Sequence, residues 1–285
     1  MPQLNIKEIL DKTVDYFKKY GISKPRLDAE VLLADLLEME RINLYVNFDR
    51  PLTSEEVDTY RKLILKRRQG TPVAYLVGKK EFMGLDFKVT SNVLIPRPET
   101  EHLVEVMLDQ IDSWEREEVK VADIGTGSGA IIVSLAYLAD KLVEGIGVDI
   151  SESSLEIAEE NALNLGVDED LEFRVGNLLD PLEQKFDLIV SNPPYIPSEE
   201  MSDLQREVQQ EPKLALDGGA DGLDYYRKII SSAPDYLLAD GLLIFEVGIE
   251  QSQAVAQLLK EADYSKVQIK KDYSEIERVV SAHYN

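Results

Sequence analysis

The residues with the most specific chemistry in this chain are Asn192, Pro193, Pro194 and Tyr195. They follow an apolar run, residues 186–190, that is typical of a buried parallel strand. Proline neither donates to a sheet ladder nor continues a helix, and it forces the residue before it into extended backbone. The sequence therefore predicts a stiff corner at the carboxyl edge of a sheet, which is where open α/β sheets bind their ligands.

Such a corner suits methyl transfer to a planar nitrogen whose lone pair is delocalised, as in an amide or an exocyclic amino group. The side-chain oxygen of Asn192 and the carbonyl of Pro193 can accept the two N–H hydrogens, while Tyr195 can stack on the flat group. Holding two reactants in line lowers a barrier by up to about 7–11 kcal/mol, so no nucleophilic side chain is needed. The alternative interpretation is a proline-stiffened loop with no chemical role.

A turn of small residues follows a predicted strand at 119–124: Gly125, Thr126, Gly127, Ser128 and Gly129. Glycine permits positive φ and close approach of a ligand to the backbone, and the predicted helix at 131–139 offers free N–H groups at its start. Asp149 ends the next predicted strand, 24 positions after Gly125. That spacing is typical of a carboxylate on the ribose hydroxyls of an adenosine cofactor.

The glycine turn alone does not identify the cofactor, because Gly125, Gly127 and Ala130 also satisfy the dinucleotide pattern. The corner at Asn192 favours a methyl donor, since a dehydrogenase has no use for it. Asn177 and Leu178 follow a further predicted strand at 171–175. Asn177 either hydrogen-bonds an adenine edge or is a simple turn asparagine.

Three other features lie near the predicted site. Arg97 stands between Pro96 and Pro98 in a segment that either lines the site as a rigid loop or is a plain linker. Glu246 and Asp217 are carboxylates for which we expect structural roles rather than catalytic ones.

Composition excludes several classes of site. The 285 residues include no cysteine and two histidines, which argues against disulfides, metal sites and cysteine nucleophiles. With no apolar run of about 18 residues and no signal peptide, we expect a soluble cytoplasmic protein.

Charge is distributed unevenly along the chain. The net charge is −23, but the first 80 residues hold 15 basic and 12 acidic side chains, whereas the remainder holds 16 and 42. So acidic a region repels a phosphate backbone and argues against a nucleic-acid substrate. The best candidate for a local basic patch is the cluster of Lys62, Lys66, Arg67 and Arg68. The alternative interpretation of this cluster is a solvated helix face.

Hydrophobic periodicity predicts three regions. Residues 1–70 are predicted to form a small helical bundle with helices at 6–17, 27–37 and 53–68. This bundle either recognises a partner or caps the larger domain. Residues 71–98 read as a β-hairpin linker with strands at 73–78 and 82–89. Residues 99–285 alternate strand and helix, with a helix at 224–238 and strands at 241–248, 267–271 and 275–282. The alternation predicts an α/β fold with a mostly parallel seven-stranded sheet.

Over nearly its whole length the chain resembles the release-factor glutamine methyltransferases, a family of class I enzymes that depend on S-adenosylmethionine. The resemblance rests on short segments: residues 71–76, Thr-Pro-Val-Ala-Tyr-Leu; 95–101, Ile-Pro-Arg-Pro-Glu-Thr-Glu; 123–129, Asp-Ile-Gly-Thr-Gly-Ser-Gly; 192–195, Asn-Pro-Pro-Tyr; and 211–223. The tetrapeptide alone is shared with adenine and guanine amino methyltransferases.

The resemblance implies a Rossmann-like class I fold with an antiparallel last strand, and methylation of the glutamine amide in the Gly-Gly-Gln motif of release factors. It implies a set of residues that bind S-adenosylmethionine: Gly125, Thr126, Gly127, Ser128, Gly129, Asp149, Asn192, and Asn177 and Leu178 near the adenine. It also implies that Asn192, Pro193, Pro194 and Tyr195 hold the substrate glutamine. We expect a monomer that needs no nucleic acid. The alternatives are an amino methyltransferase acting on nucleic acid and a non-catalytic nucleotide-binding adaptor.

Overall fold

The structure is a computed structural model that describes residues 4–284, and the chain divides into two compact units. The first unit takes in residues up to Gly78 together with Gln205–Gln210. The second takes in Lys79–Leu204 and the residues from Glu211 onward. No helix within residues 4–284 is both long enough and apolar enough to cross a membrane.

The first unit is helical. Its five helices are α1 (Ile6–Lys19), α2 (Pro25–Leu36), α3 (Arg41–Val46), α4 (Ser54–Arg68) and α5 (Val73–Val77). Capping boxes begin two of them, since Asn5 and Glu8 exchange hydrogen bonds at α1 and Thr53 and Glu56 do so at α4. The apolar faces of the long helices meet in one core that includes Phe17, Leu32 and Tyr60.

Two expectations for this region were wrong. Residues 73–77 of the predicted strand 73–78 form α5, because Pro72 and the left-handed Gly78 bound a single helical turn whose apolar residues Val73, Leu76 and Val77 share one face. The predicted basic patch loses Arg67, which is 2 % exposed and pairs with Asp28 at 2.7 Å and with Glu207. A buried arginine needs such partners, so its charge is not available at the surface.

The second unit begins with an antiparallel hairpin, β1 (Lys79–Phe82) and β2 (Leu85–Lys88), so this pair rather than residues 73–78 forms the hairpin. After α6 (Pro98–Asp112), strands and helices alternate: β3 (Glu118–Ile124), α7 (Ala130–Leu138), β4 (Leu142–Asp149), α8 (Glu152–Leu165), β5 (Leu171–Val175) and β6 (Phe186–Ser191). The chain then continues with α9 (Asp224–Ser232), β7 (Leu237–Glu246), α10 (Ser252–Glu261), β8 (Ser265–Lys271) and β9 (Glu277–His283). The predicted helix at 224–238 stops at Ser232, because Pro234 lies in a 3-10 turn and residue 237 already starts a strand.

The seven strands form one sheet in the order β5-β4-β3-β6-β7-β9-β8. In this order every adjacent pair among the first five strands, β5 through β7, is parallel, and β9 is antiparallel to both β7 and β8. The predicted mostly parallel sheet with an antiparallel last strand is confirmed. Both of its faces are buried: along β6, Leu188 and Val190 face one core while Ile189 faces the other.

Candidate active site

A cavity opens at the carboxyl edge of the sheet, where β3, β4, β5 and β6 end. Each of these strands contributes residues at or just after its carboxyl end. They are Gly125 and Gly127 after β3, Asp149 and Ile150 at the end of β4, Gly176, Asn177 and Leu178 after β5, and Asn192, Pro193 and Pro194 after β6. Because β3 and β6 are neighbours, the glycine turn and the proline corner come from adjacent strands. The topology therefore creates the switch point at which open α/β sheets bind ligands.

The glycine turn serves two purposes. Gly125 and Gly127 have φ of +77° and +57°, and a Cβ built on either would meet no protein atom within 4 Å. Their lack of a side chain leaves space for a ligand against the backbone. Gly129 also has a positive φ, but a Cβ there would lie 3.1 Å from Ala158 and Val133. Gly129 is therefore needed for packing at the start of α7.

The remaining two turn residues hold the loop and do not line the cavity. Thr126 is buried and its hydroxyl donates to Oδ2 of Asp123 at 2.7 Å. Ser128 is buried too, and its carbonyl accepts from the Asn161 side chain at 2.9 Å. Burial raises the pKa of Asp123 to about 7, despite the Thr126 hydrogen bond, and the nearby Asp149 raises it further. Of the five predicted turn residues, the structure brings only Gly125 and Gly127 to the cavity wall.

Asp149 ends β4 and lines the cavity. Its Oδ2 accepts from the Gly127 N–H at 2.9 Å and its Oδ1 accepts from the Ser151 N–H at 2.9 Å. Burial raises the pKa of Asp149, while these backbone hydrogen bonds lower it. A carboxylate has about four acceptor positions, so the group orients the glycine turn and can still accept from a hydroxyl of a ligand.

Apolar side chains flank that carboxylate. Ile150 lines the cavity and is 60 % exposed, and Leu178 lines it with a left-handed φ of +53°. Asn177 also lines the cavity, and its side-chain Nδ2 donates to Oδ2 of Asp180 at 3.3 Å. Exposed apolar groups beside a carboxylate that can accept from hydroxyls fit an adenosine, with a flat base and a ribose.

The corner after β6 is fixed by hydrogen bonds to neighbouring elements. The Ser191 hydroxyl donates to the Ile124 carbonyl at 2.6 Å, which joins the end of β6 to the end of β3. Asn192 is half-buried and its Nδ2 donates to the Thr100 hydroxyl at 3.3 Å. Asn192, Pro193 and Pro194 then line the cavity together, as the sequence predicts for a rigid corner.

Tyr195 is placed differently from its neighbours. Its ring packs against the core between the sheet and the helices α9 and α10, and it does not line the cavity. Its carbonyl accepts from the Gln251 side chain at 2.9 Å, and burial raises the pKa of the phenol to about 12. In this structure Tyr195 fixes the corner, and the stacking role stays a prediction.

Sequence reasoning missed part of the cavity wall. Beyond the predicted residues and their immediate neighbours at the strand ends, it includes the segment 92–94 together with Ser154, Pro212, Leu214, Ala215 and Tyr225. The buried carboxylate of Glu211 holds two of these segments together, since it accepts from the Ile95 N–H at 3.1 Å and pairs with Arg97. The Glu-Pro pair at 211–212 and the arginine between two prolines were the available signals.

The two carboxylates expected to be structural lie in different surroundings. Asp217 accepts from the Ser198 hydroxyl at 2.6 Å and from the Gly219 N–H at 3.0 Å, and these bonds lower its pKa. It stabilises its own loop. Glu246, at the end of β7, is 2 % exposed, and burial raises its pKa to about 7. The polar side chains of Thr100 and Asn192 oppose this rise in pKa.

Comparison with known proteins places both parts of the chain. The family of the PrmC N-terminal domain matches residues 8–78, and a methyltransferase domain family matches residues 115–273. The chain is 43 % identical to the release factor glutamine methyltransferase of Geobacter sulfurreducens, over 96 % of this chain and 95 % of that protein. It is 39 % identical to the one from Moorella thermoacetica, over 98 % and 99 %.

Solved structures agree on the fold. A methyltransferase from Pyrococcus furiosus superposes with a TM-score of 0.51 at 18 % identity, covering 78 % of this chain and 96 % of that one. The hMettl16 catalytic domain superposes with a TM-score of 0.57 at 15 % identity, covering 82 % of each chain. At such identities the likeness shows the class I methyltransferase fold alone, which the sequence had predicted.

Proposed function

Because the chain belongs to the release factor glutamine methyltransferase family, we propose that it methylates the side-chain amide nitrogen of the Gly-Gly-Gln glutamine in peptide chain release factors, with S-adenosylmethionine as methyl donor. One observation supports this most: the glycine turn, Asp149 and the Asn192 corner line a single cavity. A pocket for adenosine thus adjoins a corner that suits a planar nitrogen.

We call the part of the cavity lined by the glycine turn and Asp149 the donor side, because its residues fit the methyl donor S-adenosylmethionine. The open space in front of Gly125 and Gly127 accommodates a ligand against the turn, and Asp149 can accept from ribose hydroxyls. Ile150 and Leu178 supply apolar contact for the adenine, with Asn177 at its edge. Thr126, Ser128 and Gly129 contribute by holding the turn in place.

We call the part of the cavity at the corner of Asn192, Pro193 and Pro194 the acceptor side, because it faces the group that accepts the methyl. This side orients the substrate and supplies no nucleophile. Asn192 Oδ1 and the Pro193 carbonyl accept the two N–H hydrogens of the glutamine amide, while Pro194 keeps the corner rigid and Tyr195 supports it. S-adenosylmethionine, when bound, would supply an electrophilic methyl group on a sulfonium, with a neutral thioether as the leaving group, and the proton displaced from the amide nitrogen would pass to solvent. The chain's own contribution is alignment in a site that excludes water.

We further propose that the N-terminal helical unit, residues 1–70 in the division made from the sequence, recognises the release factor. Residues 71–98 then link this unit to the methyltransferase domain at 99–285. The enzyme works as a cytoplasmic monomer and needs no nucleic acid. The family match over residues 8–78 supports a dedicated role for the N-terminal unit. The strong excess of acidic residues after residue 80, with Arg67 buried, supports a protein substrate over a nucleic acid.

The proposed function is tested by incubating the purified protein with S-adenosylmethionine and a release factor, then locating the methyl group by mass spectrometry. We expect one methyl group on the Gly-Gly-Gln glutamine and none on a release factor in which that glutamine is replaced by alanine. RNA and DNA serve as competing acceptors in parallel reactions. Methylation of nucleic acid, with the release factor left unmodified, would overturn the proposal.

A further inference from the structure

Glu246 is a buried carboxyl group on the acceptor side of the cavity. It ends β7, is 2 % exposed and lies between the core residues Phe245 and Val247. Glu246 follows Phe245, which pairs with Ser191 in the parallel ladder of β6 and β7, so Glu246 lies next to Asn192. The polar side chains of Asn192 and of Thr100, on α6, lower the pKa of its carboxyl group. A carboxyl group is costly to bury in apolar surroundings. Its position beside Asn192 therefore indicates a role there.

The same contacts determine which way the Asn192 amide faces. Its Nδ2 donates to the Thr100 hydroxyl at 3.3 Å. Asn192 also lowers the pKa of Glu246, which is the effect of an N–H group directed at the carboxylate. An asparagine amide has two hydrogens on nitrogen and a carbonyl oxygen. With the nitrogen end directed to Thr100 and Glu246, the oxygen is left for the cavity that Asn192 lines.

We propose that Glu246, acting with Thr100, is a positioning residue that keeps the Asn192 side-chain oxygen toward the glutamine amide. The inference rests on the proposed function, since it needs an acceptor that presents N–H hydrogens. An ionised carboxylate only accepts hydrogen bonds, so the Thr100 hydroxyl donates to Glu246 and its lone pair receives the Asn192 N–H. If Asn192 turned over, its own N–H groups would face those of the substrate.

Protonation of Glu246 weakens this arrangement, because a carboxylic acid can itself donate to Thr100 and reverse the direction of the hydrogen bonds. The pKa of Glu246 is raised to about 7 as the net result of opposing effects. Burial and the negative charge of Glu99 on α6 raise it, whereas Thr100, the Arg278 guanidinium on β9 and Asn192 lower it. The phenols of Tyr195 and Tyr226 also face the carboxyl group. Its Oε2 has no hydrogen-bond partner among residues 4–284, which leaves a place for the proton.

The test is Glu246→Gln, an isosteric change that adds donors at this position. We expect kcat for release-factor methylation to fall by about 10²-fold, the effect of losing alignment of a bound reactant. The KM for the release factor should change much less, and calorimetry should show unchanged affinity for S-adenosylhomocysteine. Glu118→Gln is the matched control, because Glu118 lies exposed on the same sheet, at the start of β3, and the variant should behave as wild type.

The pH profile separates positioning from a structural role. In the wild type, kcat should rise as pH increases through about 7 and then level off, because the ionised form of Glu246 holds Asn192. Glu246→Gln should lose that dependence. Thr100→Val should lower kcat as Glu246→Gln does, whereas Thr100→Ser, which retains the hydroxyl, should restore it.

A direct readout does not depend on turnover. With ¹⁵N-asparagine labelling, the Asn192 side-chain N–H groups should exchange slowly with solvent in the wild type and faster in Glu246→Gln. The inference would be overturned if the wild type methylates the release factor and Glu246→Gln has the same kcat, pH profile and amide exchange as the wild type. A wild type that leaves the release factor unmethylated would instead overturn the proposed function. Should Glu246→Gln fail to fold, the Thr100→Val and Thr100→Ser pair decides.

Discussion

The two sides of the cavity are held by different kinds of contact. On the donor side, backbone groups predominate: the Gly125 and Thr126 N–H groups donate to the Val148 carbonyl, and Asp149 accepts from the Gly127 and Ser151 N–H groups. On the acceptor side, Asn192 relies on side chains, since its partner Thr100 stands 92 positions earlier in the chain. The donor side is thus shaped by local glycine conformation, and the acceptor side by distant packing.

This difference suggests that the two sides can be impaired separately. A change in the glycine turn should weaken cofactor binding while leaving the bound amide well oriented. A change at the corner should lower the rate of transfer while leaving cofactor binding nearly intact. The three predictions below test this separation.

The largest effect is expected for Asn192→Ala. Removing a preorganised hydrogen-bonding group costs roughly 10²- to 10³-fold in kcat, so methyl transfer should be nearly abolished. Affinity for S-adenosylhomocysteine, measured by calorimetry, should be close to that of the wild type. Equal losses of binding and transfer would show that Asn192 belongs to the fold or to the cofactor site, and the contrast between the two sides would fail.

A smaller effect is expected for Gly127→Ala. The added methyl group enters the open space before the turn, and a non-glycine residue at a φ of +57° costs of order 1–3 kcal/mol. We expect the Kd for the cofactor to rise by roughly 10- to 100-fold, as isothermal titration would measure. The kcat at saturating cofactor should fall far less than in Asn192→Ala.

Gly166→Ala is the matched control for that variant. Gly166 has a φ of +73°, and a Cβ there also meets nothing within 4 Å, but it ends α8 and does not line the cavity. The control should lose stability through the same backbone strain while binding the cofactor normally. If it weakened cofactor binding as much as Gly127→Ala, general strain would explain both results.

The smallest expected effect is on the pH dependence of stability, to which each side contributes one buried carboxyl. The folded pKa values of Asp123 and Glu246, both about 7, lie above their ordinary values of 3.8 and 4.5. The folded state therefore binds more protons between these limits. Their contribution to the free energy of unfolding is complete below the ordinary values and is lost as pH rises through about 7.

Urea denaturation at a series of pH values measures this effect. Asp123→Asn and Glu246→Gln should each make the free energy of unfolding fall less steeply between pH 5 and 8 than it does in the wild type, whatever their effect on its absolute value. Asp123 supports the turn through Thr126, and Glu246 supports Asn192. A slope as steep as that of the wild type in both variants would show that neither carboxyl titrates in this range.

Much of the fold was predictable from local patterns. The capping box at Thr53, the glycine turn before α7 and the fully apolar run of β6 each report a structure formed by neighbouring residues. Residues 73–78 misled prediction because their β-branched and aromatic types resemble a strand. Their placement on the first unit's core, between Pro72 and Gly78, makes them a helical turn.

Part of the cavity was not predictable, for a related reason. Pro212, Leu214 and Tyr225 reach the wall only because the long connection after β6 folds back over the sheet edge. Tyr195 packs against the core beneath its corner, a contact that its position in the sequence does not reveal. Arg67 looked like one more charge on a basic helix, yet Asp28 and Glu207 surround it.

By itself the sequence determined the α/β class, the family and the residues at the ends of the strands, because glycine, proline and apolar periodicity act over a few neighbouring positions. The tertiary structure alone decided which of those residues share a wall, which way the Asn192 amide faces and that Glu246 lies behind it. These depend on side chains brought together from α6, β6 and β7, and hydrogen-bond direction and burial exist only once those elements have packed.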